Sequence, residues 1–176
     1  AALLACLGDP PLVVRIETPQ GICLSVPVLT AQATTDGGRA SVIKDAGDDP
    51  DITHGVEIVA EVQLTPGQPE ISFQAGVGIG TVTLPGLQIP VGQPAINPAP
   101  RQMIESALRP LLPEGAGTVV TISIPEGEKL ARRTLNPTLG IVGGLSIIGT
   151  TGIVEPMSEE AFKNSLKPQI SVAKAL

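Results

Sequence analysis

The sequence has no tryptophan or tyrosine and carries few charges. Apart from two phenylalanines, Phe73 and Phe162, the only other aromatic ring is that of His54. Proteins that bind single-stranded nucleic acid stack the bases on aromatic rings along a positively charged groove. Because these rings are missing and the net charge is −6, we expect no nucleic-acid partner.

Metal-binding side chains are equally scarce. The chain has two cysteines, Cys6 and Cys23, and one histidine. A structural zinc site needs four such ligands and a catalytic site three, so we expect no metal site. Nothing in the sequence brings a cysteine to His54 as a catalytic pair. The two thiols are therefore predicted to be small buried apolar groups rather than a disulfide or a nucleophile.

Long hydrophobic runs are also absent. The longest uninterrupted apolar run is far shorter than the ~18 residues that a membrane-spanning helix requires. No positively charged leader and no lipidation signal is visible. The sequence thus predicts no membrane partner and a cytoplasmic location.

Branched aliphatic residues are abundant. Leu, Ile, Val and Phe make up 53 of the 176 residues, whereas only 16 % of residues are charged. Glycine (20) and proline (18) are also frequent, but disordered chains are rich in charge and poor in branched aliphatics. We therefore expect a folded domain with a β-rich aliphatic core.

Runs of β-branched residues between turn signals predict a sheet with few helices. Residues 55–65 alternate, which predicts a half-buried strand with Glu57, Val59 and Glu61 facing outward. A helix at 100–112, between two strands, is a candidate crossover of a β-α-β unit. The fold class is therefore α+β, a mixed or antiparallel β-rich domain. The further predicted strands are 12–18, 22–28, 29–35, 39–44, 71–75 and 118–124, and the further helices are 1–7, 126–135 and 158–176.

The first segment of unusual composition is Lys44–Gly55. Four of the six aspartates of the chain, Asp45, Asp48, Asp49 and Asp51, lie within seven residues. Such a cluster needs a cation, a sulfonium, backbone amides or open water to offset the repulsion between carboxylates. An acidic turn in solvent and a ligand site both fit this composition, because Asp, Gly and Pro are also turn formers.

Two glycine-rich segments follow. Gly76, Gly78 and Gly80 alternate along the chain, but neither the spacing nor the following residues fit a dinucleotide-binding loop. The second segment, 136–157, holds five glycines, and Glu155 is its only ionisable side chain. Glycines let backbone amides approach a ligand closely. They also allow tight backbone packing, and the sequence leaves both interpretations open.

Arg101 follows Asn97 and two prolines at the start of the predicted helix. Its guanidinium is suited to bind a carboxylate or phosphate. A surface salt bridge is the alternative for a single arginine.

Three blocks, in this order, resemble the CbiD family, the cobalt-precorrin-5B C1-methyltransferases. They are KDAGDDPDITHG (44–55), GVGIGTVTLPGLQIPVGQPAINPAPRQMI (76–104) and NPTLGIVGGLSIIGTTGIVEPMSEEA (136–161). The resemblance covers essentially the whole chain, and family members are about twice as long. It implies that residues 1–157 form an N-terminal α+β domain. Residues 158–176 would then begin a helix that leads to a C-terminal α/β domain.

The resemblance also implies a fold similar to the split β-α-β fold of the ribosomal-protein and GHMP-kinase type. The implied reaction is methylation of carbon 1 of a cobalt-containing tetrapyrrole by S-adenosyl-L-methionine, in the anaerobic synthesis of the corrin ring of cobalamin. Cobalt would then be present only as part of the substrate.

For such a reaction we expect Asp45, Asp48 or Asp49 to lie near the sulfonium or to act as the base. We expect Lys44 or Arg101 to meet the substrate carboxylates. The remaining candidates for substrate or donor binding are Asp51, Thr53, Gly76, Gly78, Gly80, Asn97, Asn136, Gly143, Gly144, Thr150, Thr151 and Glu155.

Two alternatives to a catalytic domain remain at this point. One is a non-catalytic module that binds the tetrapyrrole while the donor site lies elsewhere, and the other is a structural β domain. Residues 1–7 favour a helix but have no N-cap before them, so we expect them to be the second half of a helix, which would expose an apolar patch. We therefore also expect a homo-oligomer.

Overall fold

The computed structural model describes residues 1–148 and 159–175, with the backbone alone described for 159–165. The helices are α1 (Ala2–Cys6), α2 (Pro98–Leu108), α3 (Gly127–Ala131) and α4 (Glu159–Ala175). The strands are β1 (Val13–Glu17), β2 (Cys23–Pro27), β3 (Thr30–Thr34), β4 (Gly37–Ile43), β5 (Glu57–Thr65), β6 (Ile71–Ala75), β7 (Thr81–Val82), β8 (Gly117–Ser123) and β9 (Ile141–Val142).

A five-stranded mixed sheet forms the centre of the fold, with strand order β3-β4-β5-β8-β6. β6 and β8 are parallel neighbours, and the other pairs are antiparallel. α2 lies in the connection between β6 and β8, which confirms the predicted β-α-β crossover. The α+β class with a mixed sheet and few helices is likewise confirmed.

The strand directions bring several connections to one edge of the sheet. β4, β8 and β6 run in the same direction, because β5 is antiparallel to both β4 and β8. The chain therefore leaves all three strands at the same edge, and β5 begins there. The acidic segment after β4 and the glycines after β6 both lie at this edge, which we call the site edge. At roughly 4.8 Å per strand, the ends of β4 and β6 are about 14 Å apart.

The main hydrophobic core lies on one face of this sheet. α1 packs on β3 and β4 and places Leu3 in the core, only 1 % exposed. Val62 and Val120 face it from the central strands, with Ile104 of α2 packed at its margin. The alternation predicts that Val56, Ile58, Ala60, Val62 and Leu64 face inward. All of them except Ala60 are among the residues that form or pack against this core.

The opposite face of the sheet is mostly polar, but one of its apolar residues, Val59, is buried. The prediction that Val59 faces solvent is wrong, because it is 2 % exposed and lies in register between Ser41 and Ser123. Alternation distinguishes the two faces of a strand but not whether each is covered. Farther along this face, an open depression of about 340 Å³ is lined mainly by Thr34, Thr35, Asp36, Glu61, Gln63, Val119 and Thr121.

A second, smaller core lies beside the first, and no pattern in the sequence predicts it. β7 pairs with β9, and Val82 and Ile141 are buried there. Val172 of α4 packs into the same cluster. Because β7 and β9 contain only two residues each, they are too short for the alternation of apolar and polar residues by which a strand is predicted.

Several boundaries differ from the predictions. α2 begins two residues earlier than expected, at Pro98, and ends in a single 3-10 turn over Arg109–Leu111. Asp36, Gly37 and Gly38 have the composition of a turn between the predicted strands 29–35 and 39–44, but Gly37 and Gly38 are the first residues of β4. Backbone of a neighbouring segment occupies the space beside each of them, which explains the preference for glycine.

The prediction for the cysteines holds only for Cys6, which is partly buried against the main core. Cys23 lies exposed on β2, in the β1–β2 hairpin. Among the described residues, no helix combines the length and the hydropathy that crossing a membrane requires.

Candidate functional site

A network of three side chains closes the acidic loop between β4 and β5. Lys44, which directly follows β4, donates hydrogen bonds from Nζ to Asp51 Oδ2 and to Thr53 Oγ1. The Thr53 hydroxyl and backbone N–H donate to Asp51 Oδ1, at 2.7 and 2.8 Å. This network joins the end of β4 to the far side of the loop and so restricts the loop's conformations.

The charge of Asp51 is stabilised within this network. Burial of the side chain, which is 24 % exposed, raises the pKa of the carboxyl. The hydrogen bonds from Lys44 and Thr53 and the charge of Lys44 outweigh burial, so the pKa of Asp51 lies below its ordinary value. Asp51 is therefore an ionised structural partner of Lys44 rather than a base.

The aspartates predicted to be catalytic have different surroundings. Asp45 Oδ1 accepts the Gly47 N–H at 2.8 Å, a local turn, and its side chain is 85 % exposed. Asp48 is exposed and Asp49 partly buried. The imidazole Nδ1 of His54 accepts the Ala46 N–H at 3.1 Å. The loop thus leaves Asp45 and Asp48 exposed to solvent at the site edge, with Asp49 partly buried beside them.

The two glycine segments pack against each other. Leu145 N–H donates to Gly78 O, and Gly80 N–H donates to Leu145 O, both at 2.8 Å. A β-carbon on Gly144 would lie 2.1 Å from Gly78 O, and one on Gly127 would lie at the same distance from that oxygen. These glycines are needed for backbone packing, which is one of the two interpretations that the sequence left open.

The remaining predicted glycines fall into two groups. A β-carbon on Gly76 would meet Ser123 Oγ at 2.0 Å, and one on Gly80 would meet the Ile141 side chain at 2.4 Å. Gly143 differs, because its φ is +90° and a β-carbon there would meet nothing within 4 Å. Gly143 is therefore the one member of the predicted glycine set beside which the described structure leaves open space.

Asn136 holds the second glycine segment in place. Its side chain is buried, and its Nδ2 donates to Gly144 O at 3.1 Å. Its Oδ1 accepts the Ser146 hydroxyl at 3.0 Å, and its carbonyl accepts the Ile141 N–H. Both ends of the amide are thus used within the protein. Ser146 and Gly127 belong to this packing but are not predicted. Ser146 lies in the second glycine segment without a neighbouring residue that indicates its partner, and Gly127 lies outside both glycine segments.

Arg101 is bound to backbone carbonyls. Its Nε donates to Ile96 O at 2.8 Å and its Nη2 to Pro94 O at 3.1 Å, while its guanidinium lies 5.3 Å from the centre of the Phe73 ring. The predicted surface salt bridge is absent from the described ion pairs. Arg101 instead fixes the segment that enters α2.

This segment connects the two glycine segments. Ala95 N–H donates to Gly80 O, and Ile147 N–H donates to Ala95 O, both at 2.8 Å. Asn97, at the N-terminus of α2, donates its N–H to Ile147 O at 2.9 Å. Residues 78–80, 94–97 and 143–147 thus form one hydrogen-bonded unit. Thr150, Thr151 and Glu155 lie outside the described residues.

Replacing Arg101 by glutamine is expected to lower the free energy of unfolding by about 1 to 2 kcal/mol, from two lost hydrogen bonds and the ring contact. Hydrogen exchange should accelerate at the amides of Ala95, Asn97 and Ile147. Arg109→Gln is the matched control, because Arg109 also donates to a carbonyl, that of Pro69, but at an exposed position. Equal exchange at these amides in both variants would contradict the assigned role.

Comparison with known proteins points to one family. The CbiD family profile matches residues 1–156. The cobalt-precorrin-5B C(1)-methyltransferase of Moorella thermoacetica is 55 % identical over 175 residues, which cover 99 % of this chain and 47 % of that protein. The protein of the same name from Methanocaldococcus jannaschii is 54 % identical over 162 residues, covering 92 % and 45 %.

A solved structure is also similar. The crystal structure of the cobalamin biosynthesis protein (cbiD) from Archaeoglobus fulgidus superimposes with a TM-score of 0.65 at 32 % identity, covering 95 % of this chain and 54 % of that one. The chain therefore spans about half the length of the proteins that it matches.

Proposed function

The chain belongs to the CbiD family, and from this membership we propose that it is the N-terminal portion of a cobalt-precorrin-5B C1-methyltransferase of cobalamin biosynthesis. The observation that carries the proposal is the 54 to 56 % identity to proteins of that name over at least 92 % of the chain. The methyl donor is S-adenosyl-L-methionine, and cobalt enters only within the tetrapyrrole substrate.

Methyl transfer is an in-line displacement, so the protein contributes chiefly by positioning the donor and the acceptor and by its electrostatics. We assign the electrostatic part to the acidic loop. Because Lys44 and Thr53 engage both oxygens of Asp51, the carboxylates left to face a sulfonium are those of Asp45, Asp48 and Asp49. The same carboxylates are the candidates for the base that accepts a proton from the substrate.

The substrate is a polycarboxylate, and two cations keep donors for it. A lysine ammonium has three N–H donors and an arginine guanidinium five. Lys44 uses two of them, for Asp51 and Thr53, and Arg101 uses two for backbone carbonyls. We propose that the remaining donors meet substrate carboxylates and that the open space beside Gly143 belongs to the same binding surface. The binding roles of Thr150, Thr151 and Glu155 stay predictions.

Titration calorimetry tests this proposal with two ligands that differ in one charge. S-adenosyl-L-methionine carries a sulfonium, and S-adenosylhomocysteine has a neutral thioether in its place. We expect this chain to bind both, and the double variant Asp48→Asn/Asp49→Asn to lose about tenfold in affinity for the sulfonium ligand alone. Asp36→Asn, at the opposite edge of the sheet, is the control and should change neither affinity.

The full-length Moorella thermoacetica relative, titrated in parallel, separates the alternatives. Binding by the relative but not by this chain would place the donor site outside residues 1–176. This portion would then be the non-catalytic module that binds the tetrapyrrole. If the double variant lost affinity equally for both ligands, the proposed contact between these carboxylates and the sulfonium would be ruled out. If neither protein bound either ligand, the methyltransferase proposal itself would fail.

We further propose that residues 1–157 form the N-terminal α+β domain and that 158–176 lead into a C-terminal α/β domain of a cytoplasmic enzyme. The contact of Val172 with the second core supports a helix anchored on this domain. The resemblance to the split β-α-β fold of the ribosomal-protein and GHMP-kinase type stays a prediction. A crystal structure of the full-length protein would test both statements.

A further inference from the structure

β3 forms an unprotected edge of the main sheet. It pairs with β4 on one side only, within the described residues. Edge strands in native proteins are commonly protected by charges, proline or an internal bulge, because open backbone groups invite a further strand. β3 has the sequence Thr-Ala-Gln-Ala-Thr, with no charge and no proline. The one bulge-like irregularity lies at its start, where Leu29 N–H donates to Ser41 O although Ser41 is the register partner of Thr30.

The register shows which backbone groups of β3 are open. Lys44 N–H donates to Val56 O, so Lys44 and Val56 are a hydrogen-bonded pair. Every second residue of β4 before Lys44, namely Val42, Ala40 and Gly38, therefore also bonds to β5. The intervening residues, Gly37, Arg39 and Ser41, therefore bond to β3, where their partners are Thr34, Gln32 and Thr30. The N–H and C=O groups of Ala31 and Ala33 consequently point away from the sheet.

The sequence of β3 is palindromic about Gln32. In an antiparallel pair of two β3 strands centred on Gln32, Ala31 of each copy exchanges both backbone hydrogen bonds with Ala33 of the other. Gln32 then faces Gln32, and Thr30 faces Thr34, so uncharged hydrogen-bonding side chains pair across the dyad. Such a contact is isologous, as a two-fold dimer requires.

Electrostatics permits this contact despite the net charge of −6 on each copy. No charged residue occurs between Leu29 and Thr35. Arg39 is neutralised by Glu61 at 3.1 Å within its own copy. The two Arg39 residues would be three strands, about 14 Å, apart, which exceeds the Debye length of about 8 Å at physiological salt. The two Asp36 residues lie at opposite ends of the contact.

We propose that the occupant of this edge is a second copy of the chain, with β3 paired antiparallel to β3 and the two five-stranded sheets joined into one. Leu29, 55 % exposed just before β3, is then covered by the partner strand. The other edge strand, β6, is not self-complementary. In addition, Arg109 donates a hydrogen bond to the carbonyl of Pro69 just before β6, so that carbonyl is already used within the chain. This inference does not depend on the proposed function.

Analytical ultracentrifugation of the chain and of charge variants at Gln32 tests the proposal. The wild-type chain of 17.9 kDa should sediment as a dimer. Gln32→Glu and Gln32→Lys should each weaken the dimer by about fivefold or more, because like charges then face each other at the dyad. An equimolar mixture of the two variants should restore dimerisation as a heterodimer.

Two further variants complete the test. Ala33→Pro should give a folded monomer, because the N–H that it removes points away from β4. Gln74→Glu, at an exposed position of β6 on the other edge, is the matched control and should leave the dimer unchanged. A monomeric wild-type chain, a mixture that stays monomeric, or a dimer that survives Ala33→Pro would overturn the proposal.

Discussion

Replacing Gly144 by alanine is expected to lower the free energy of unfolding by more than about 3 kcal/mol. The added β-carbon would lie 2.1 Å from Gly78 O, 2.2 Å from Gly78 C and 2.7 Å from Ile79 N. All three are backbone atoms, so no flexible side chain can move aside. The segments must separate, and the hydrogen bonds between Gly78, Gly80 and Leu145 are then lost.

The adjacent Gly143→Ala variant is the matched control. Its β-carbon enters open space, so the cost is only the left-handed backbone at φ +90°, about 1 to 2 kcal/mol. Urea denaturation of both variants measures the difference. If Gly144→Ala were no more destabilising than Gly143→Ala, the packing would not require a glycine at 144. Close approach of a ligand would then be the better explanation of Gly144.

The Asp51→Asn variant is expected to lose about 2 to 3 kcal/mol of stability at pH 7. It removes a charged acceptor of three hydrogen bonds, and its amide N–H₂ or carbonyl would face the Lys44 ammonium without a negative charge. Because Lys44 is only 27 % exposed, water replaces the lost partner incompletely.

The pH dependence distinguishes the charge of Asp51 from its shape. The folded-state pKa of Asp51 is lowered, so its stabilisation is fully present above the unfolded value of about 3.9. It is lost as the pH falls through the lower native pKa. The stability difference between wild type and Asp51→Asn should therefore be constant near neutrality and shrink below about pH 4.

Asp45→Asn is the control for this measurement. Its side chain is 85 % exposed, and asparagine retains an oxygen for the Gly47 N–H. Its effect should stay small at all pH values. A difference for Asp51→Asn that persisted unchanged at pH 2 would show that the carboxylate charge is not what stabilises the loop.

Local patterns in the sequence predict most of the main sheet correctly. The alternation in β5 identifies the residues that face the core, and the proline-led helix between two strands identifies the crossover. The same patterns cannot predict that Val59 is buried, because burial of the second face depends on which segments cover it. Nor do they predict β7 and β9, which pair across a long sequence separation.

The sequence identifies the candidate segments but not the contacts of each residue. That the aspartate cluster and the glycine segments lie at one edge of the sheet follows from the strand order, which the sequence does not reveal. Only three-dimensional pairing distinguishes Asp51, held by Lys44, from the solvent-facing Asp48. Likewise Arg101 is bound to carbonyls of residues 94 and 96, a local arrangement that its side-chain chemistry alone does not indicate.

The order of the strands has a consequence for synthesis on the ribosome. β3, β4 and β5 follow one another in both chain and sheet, so they can associate as soon as they emerge. β6 is made next, yet its sheet neighbour β8 comes only after α2. Because non-local pairing is slow and exposed strands aggregate, the nascent chain must carry an unpaired, uncharged strand while some forty further residues are added. β6 is therefore the segment at which we expect a chaperone to act during translation.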